Sequence, residues 1–202
     1  GKSTIANLLC RLYDTTTGNI KFGKTNIEDL NLFSLRSSIG YIPQDGYLFS
    51  GSIKQNIAFG KNIIEEKKIL EAAKEAEILE EIENFTDGFE TVIGERGVKL
   101  SGGQRQRLAI ARTFYKNPNL FIFDDCLSAI DATKEQKILK NLKLKSKGKT
   151  SIIISHRIAA IKDTDHIIVL ERGEIIEQGT HQSLLKGKGF YYEVNKSQNN
   201  SI

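Results

Sequence analysis

Gly1-Lys2-Ser3-Thr4 stands directly ahead of an apolar-periodic run, Ile5 to Leu12, that predicts a helix. A lysine there can put positive charge on terminal phosphates, and the Ser3 hydroxyl can ligate magnesium. The helix start adds free N–H groups and its dipole. So short a motif is common and decides little alone. A second element is Leu120-Phe121-Ile122-Phe123-Asp124-Asp125, an apolar strand ending in two carboxylates. In an open parallel sheet, ligands sit at the carboxyl ends of strands, so both acids would emerge where chemistry happens. One carboxylate can hold magnesium through its water shell, and the next can polarise an attacking water. A strand end followed by an acidic turn would read the same, and these residues alone do not separate the two.

The third element is Leu100-Ser101-Gly102-Gly103-Gln104, ahead of a helical run from Arg105 to Phe114. Ser101 suits an N-cap, and two glycines let the backbone approach an anion closely. This is a second phosphate-binding helix start in one chain. Two such starts but one Lys2 predict that each nucleotide lies between two copies of the domain.

A scaffold must hold these residues. Leu120 to Phe123 and Ser151 to Ile154 read as buried parallel strands, each lying between helical segments. Ile167 to Leu170, then Glu171-Arg172-Gly173-Glu174 and Ile175-Ile176, predicts a hairpin. Ser52 to Asn117 reads as helix and loop, with Ile69, Ala73, Ala76 and Leu79 at helical spacing. Residues 61 to 90 hold ten acids and four lysines, and residues 134 to 149 hold seven lysines and one glutamate. Both stretches are expected to be solvated helix faces, the second on a helix from about Lys134 to Leu144. The fold expected is α/β: a mostly parallel sheet flanked by helices, a helical insertion at about 55–110 and a small antiparallel hairpin. The tail from residue 197 to 202 is expected to fray.

Length and composition bound the rest. At about 150 residues per domain, 202 residues make one large domain, or one with an insertion. The net charge of +4 gives no argument for nucleic acid. No apolar run approaches the roughly 18 residues of a membrane span. Cys10 and Cys126 match no metal or redox spacing and are expected to be reduced thiols. There is no signal peptide pattern. The sequence has no Met and opens on Gly1, so a piece of a longer chain is expected.

Together these elements resemble the nucleotide-binding domain of an ATP-binding cassette (ABC) transporter, a P-loop NTPase-like fold, over nearly the whole chain. Gln44, within Tyr41-Ile42-Pro43-Gln44-Asp45, matches the Q-loop. Gly94-Glu95-Arg96-Gly97 resembles the short loop ahead of the signature in exporters, and Leu100 to Gln104 is the signature. Ser128-Ala129-Ile130-Asp131 matches the D-loop, and Ser155-His156-Arg157 the His switch. Phe49-Ser50-Gly51-Ser52-Ile53, Gln55-Asn56-Ile57 and Gly179-Thr180-His181 resemble exporters whose membrane helices are fused ahead of the ATPase domain.

The resemblance implies a head-to-tail dimer, with an identical or a different partner domain, holding two ATP molecules with Mg2+. Gly1, Lys2, Ser3 and Thr4 would hold one nucleotide's phosphates, with Ser3, Gln44 and Asp124 at the metal. Gln44 would also contact the attacking water and sense the transmembrane domain. His156 would hold the γ-phosphate, and Asp131 would lie at the nucleotide. Ser101, Gly102, Gly103 and Gln104 would reach the partner's γ-phosphate. The setting implied is the cytoplasmic face of a membrane, with no nucleic acid partner. At Asp125 the family usually has Glu, the catalytic base. Aspartate is one methylene shorter, and a misplacement near 1 Å can cost about 10²-fold in rate. The expectation is the slow-hydrolysing half of an exporter, with catalysis by Asp125, His156 and Gln44. The alternatives are a soluble ABC ATPase of the DNA-repair or translation type, and a nucleotide-binding half that acts structurally. Without upstream loop glycines, residues 1 to 202 alone are expected to bind ATP weakly.

Overall fold

The computed structural model describes residues 1–61, 63–94 and 97–199. In chain order the elements are α1 (Lys2–Leu9), β1 (Lys21–Phe22), β2 (Thr25–Asn26), α2 (Leu32–Ser38), β3 (Ile39–Ile42), β4 (Gly51–Ser52) and α3 (Ile53–Ile57). Then come α4 (Glu66–Glu75), α5 (Leu79–Glu83), β5 (Val92–Ile93), α6 (Gly102–Lys116), β6 (Leu120–Asp124), α7 (Ala132–Lys145) and β7 (Thr150–Ile154). The chain closes with α8 (Ile158–Ile161), β8 (Ile167–Glu171), β9 (Glu174–Gly179), α9 (His181–Gly187) and α10 (Phe190–Asn199). Two units form: Leu30–Ile152, and Gly1–Asp29 with the chain from Ile153 onward.

In the larger unit, β6 is buried along its whole length, as a continuous apolar run in a covered sheet must be. It pairs in parallel with β3, Ile39 opposite Leu120 and Ile42 opposite Phe123. The sheet order is β3-β6-β7. Helix α6 supplies the other half of the core. Nine of its residues are buried, from Gln106 to Tyr115, and α3 and α4 pack on it. Gly40 shows how tight this contact is: a Cβ there would fall 2.5 Å from Thr113 Cγ2 and 2.6 Å from Pro118 Cγ. Helix α4 buries Ile69, Ala72 and Ala73, and its small residues allow close approach to α6. It stops short of the expected Leu79. Glu77 turns left-handed at φ 55°, and its N–H bonds the Lys74 carbonyl while that of Ile78 bonds Ala73. Those two bonds close a Schellman motif, so Leu79 opens α5 instead.

The same device corrects the first helix. The expected run was Ile5 to Leu12, but α1 spans Lys2–Leu9. Arg11 sits at φ 50°, with Arg11 N–H on Leu8 O and Leu12 N–H on Asn7 O. The smaller unit also holds the expected hairpin, β8 antiparallel to β9, turned by Arg172 at φ 50° and Gly173 at φ 90°. Ile158, Ile167, Leu184 and Tyr191 form its core. Helix α10 runs through Asn199, and Gln198 makes two hydrogen bonds, so residues 197–199 are built into the unit.

Most charges of the acidic and lysine-rich stretches are exposed, as expected, and at three points opposite charges of the two stretches also meet. Lys134 pairs with Glu81 at 2.7 Å, Lys137 with Glu77 at 3.0 Å, and Lys145 with Glu75 at 2.9 Å. Cys10 and Cys126 are free and buried, one in each unit. Among the described residues, no helix is long and apolar enough to cross a membrane.

Candidate functional site

The candidate residues divide between the units. Gly1, Lys2, Ser3, Thr4 and His156 belong to the smaller; Gln44, Ser101 to Gln104, Asp124, Asp125 and Asp131 belong to the larger.

In the smaller unit Gly1 is the N-cap of α1, its carbonyl accepting from Ile5 N–H at 3.2 Å. No side chain caps this helix start. His156 is exposed on the turn after β7. Gln198 fixes that turn: its Nε2 donates to His156 O at 2.7 Å, and its Oε1 accepts from Ile158 N–H at 2.9 Å.

In the larger unit the parallel pair sets the geometry. Strands β3 and β6 run side by side, so Gln44, two residues beyond β3, and Asp124, the last of β6, emerge at the same end. Asp124 is buried, and Tyr41 Oη donates to its Oδ2 at 3.3 Å. Asp125 follows in the left-handed region at φ 48°. Its carbonyl accepts from Ser128 Oγ at 3.0 Å, which folds the Ser128–Asp131 turn back on the strand end. Burial pushes the neighbouring Cys126 thiol up.

The signature forms a closed capping box. Ser101 Oγ accepts from Gln104 N–H at 3.2 Å, and Gln104 Oε1 accepts from Ser101 N–H at 2.8 Å. Gly103 is required by close packing: a Cβ there would lie 2.8 Å from Ala129 O. Asp131 caps α7, its Oδ1 accepting from Lys134 N–H at 3.0 Å. That hydrogen bond holds the Asp131 carboxyl below its ordinary range.

Two residues that the sequence did not single out tie these parts together. Gln106 is buried on α6; its Nε2 donates to Gln44 O at 3.1 Å and its Oε1 accepts from Ala129 N–H at 3.3 Å. Glu81 accepts from Gln104, Arg107 and Lys134. No motif marks either one; only the approach of distant segments reveals them. A cavity of about 720 Å³ opens beside this cluster, lined by Gln44, Tyr47, Gly94, Lys99, Arg105 and Gln106 among others. Glu95 and Arg96 of the loop ahead of the signature lie outside the described residues.

Among the described residues, no group of three or more His, Cys, Asp or Glu could hold a metal. In the larger unit the motifs offer an amide and one carboxylate, on Gln44 and Asp124. Hard oxygens of this kind suit magnesium, which keeps several waters and takes few protein ligands.

The ABC transporter family model matches residues 1–128. The chain belongs to the ABC transporter family. An uncharacterized ABC transporter ATP-binding protein of Bacillus subtilis is 46% identical over 198 residues, 98% of this chain and 34% of that protein. An ATP-dependent lipid A-core flippase of Syntrophus aciditrophicus is 42% identical over 98% of this chain and 33% of its own length. A bacterial Atm1-family ABC exporter, solved with ATP bound, superimposes with a TM-score of 0.94 at 43% identity, over 98% of this chain and 35% of that one. This ABC domain therefore spans about a third of the length of the relatives it matches, and it is of the exporter nucleotide-binding type.

Proposed function

We propose that this ABC domain binds and hydrolyses ATP to power export across a membrane, through nucleotide-driven pairing with a second ABC ATPase domain. The observation that carries the reading is the signature cap, closed by Ser101 and Gln104 and packed on the Ser128–Asp131 turn. A helix start so prepared, with two glycines at its tip, presents N–H groups to a phosphate. Lys2, Ser3 and Thr4 hold the phosphates of the chain's own nucleotide, and Ser101 to Gln104 hold the partner's. Ser3, Gln44 and Asp124 would hold magnesium, which supplies charge neutralisation at the phosphates. Gln44 orients the attacking water, Asp125 accepts its proton, His156 holds the γ-phosphate and Asp131 lines the edge between the two nucleotides. Binding a γ-phosphate from both sides and losing it on hydrolysis gives the two-state element that transport needs. The reading places the domain on the cytoplasmic face of the membrane, joined to a transmembrane domain.

Asp125 makes this the slower of two kinds of site. Its carboxylate is one methylene short of the usual glutamate, at a left-handed backbone position that aspartate tolerates. The test is magnesium-dependent ATP turnover by the full-length transporter in lipid. Lys2→Ala should abolish the turnover. A wild-type rate no higher than that of Lys2→Ala would refute the reading.

A further inference from the structure

Glu81 on α5 meets three donors from two other helices. Its Oε1 accepts from Arg107 Nη2 at 2.5 Å and Lys134 Nζ at 2.7 Å, and its Oε2 accepts from Gln104 Nε2 at 3.0 Å. The cluster is half-buried: the Glu81 side chain is 26% exposed, that of Arg107 7% and that of Lys134 35%. In such surroundings, charge-assisted hydrogen bonds are short and directional.

Two of these donors lead to segments that act on nucleotide. Gln104 is the last residue of the signature, and its amide is divided between two duties. Oε1 takes the Ser101 N–H and closes the cap, while Nε2 is held by Glu81. The carboxylate thus sets the rotamer that keeps the cap closed. Lys134 lies in the first turn of α7, where Asp131 caps its backbone N–H. Glu81 therefore holds the start of α6 and the start of α7 at once.

We infer that Glu81 is a positioning residue that fixes the signature, Ser101 to Gln104, and the Asp131 turn to one another, so that they meet a nucleotide as one rigid edge. This rests on the function proposed above. The chemistry requires a carboxylate. Three donors converge, and only a group that accepts without donating satisfies them all. Glutamine has one acceptor oxygen, and whichever way its amide turns, an N–H faces a donor. Aspartate keeps the charge but is too short to reach all three.

Glu77 and Glu75 provide a built-in comparison. They pair with Lys137 and Lys145 of the same α7, and neither pair includes a signature residue. The experiment takes the full-length transporter as wild type, Glu81→Gln, Glu81→Asp and Glu77→Gln. Backbone hydrogen exchange over residues 100–105 and 129–134 should speed up about tenfold in Glu81→Gln and not in Glu77→Gln. ATP turnover should show kcat about tenfold lower in Glu81→Gln, with KM within about twofold, since each nucleotide is held mainly by its own chain. Glu81→Asp should recover part of kcat, and Glu77→Gln should match wild type. Unchanged exchange in Glu81→Gln overturns the clamp. Faster exchange with unchanged kcat overturns its role in turnover, as does an equal loss in Glu77→Gln. If the wild type turns over no ATP, it is the proposed function that fails, and the exchange measurement still decides the clamp.

Discussion

Asp125 combines a short side chain with a left-handed backbone, at φ 48°. The two properties pull a single substitution in opposite directions. Asp125→Glu restores the reach of the base, so kcat of the full-length transporter should rise by about 10²-fold with little change in KM. Glutamate is less at home at positive φ, where most L-residues lose roughly 1–2 kcal/mol, so the same variant should melt at a lower temperature. Asp125→Asn should do the reverse: it keeps the backbone preference, holds its melting temperature and loses turnover. Paired melting and turnover curves check both. No rise in kcat with Asp125→Glu would leave the slow-site reading without support. Ser101 acts through its cap. Ser101→Ala removes the acceptor for Gln104 N–H and should cost about 1 kcal/mol, read from the denaturation midpoint. The types of both residues could be read from the letters. The φ of Asp125 could not, because it depends on how the Ser128 hydroxyl folds the turn back.

Between elements, the larger unit relies on polar ties as well as apolar packing. Arg112 on α6 donates to Asn56 O at 2.8 Å, Asn56 Oδ1 at 2.9 Å and Tyr47 O at 3.0 Å, and lies over the stacked rings of Phe49 and Phe59. Burial lowers its guanidinium to about 10, so it stays charged at neutral pH. Arg112→Ala removes these three hydrogen bonds, although Asn56 keeps its own bonds to Phe49 and Ser52, and should cost about 2 kcal/mol in urea unfolding. Glu81 gives a pH signature. Burial pushes its carboxyl up, but the hydrogen bonds from Lys134 and Gln104 and the charges of Arg107 and Lys134 outweigh that and hold it below its ordinary range. A carboxyl lowered on folding contributes stability above its unfolded pKa, and loses it as pH falls through the folded value. Stability measured below about pH 4 should therefore fall less steeply in Glu81→Gln than in wild type. Strands β6 and β7 and helix α6 were legible because their apolar runs are long or continuous. Strand β3 was not: Ile39-Gly40-Tyr41-Ile42 is short, and its glycine answers to Thr113 and Pro118 rather than to any local pattern. The two-residue strands β1, β2, β4 and β5 carry no periodicity to read. The acidic and lysine-rich stretches were visible, but not the three ion pairs that join them.

For the whole molecule, the ordered set of motifs was enough to point to the family, while the division at Leu30 and Ile152 had no mark in composition. If two copies of the chain pair head to tail, each nucleotide meets Lys2 of one and Ser101 of the other. Full-length Lys2→Ala and Ser101→Arg should then each be inactive alone. Co-expressed, they should regain about a quarter of wild-type turnover, since half of randomly paired dimers keep one intact site. No recovery would mean that both residues serve the same site within one chain, or that the natural partner is a different protein. The placement of the thiols has its own use. Cys10 lies buried in one unit and Cys126 in the other, with no disulfide between them. A thiol reagent should leave the native protein untouched and modify each cysteine only when its surroundings open. Pulse alkylation at rising denaturant, followed by mass spectrometry, would then time the opening of the two units separately. The native sequence carries one silent chronometer for each.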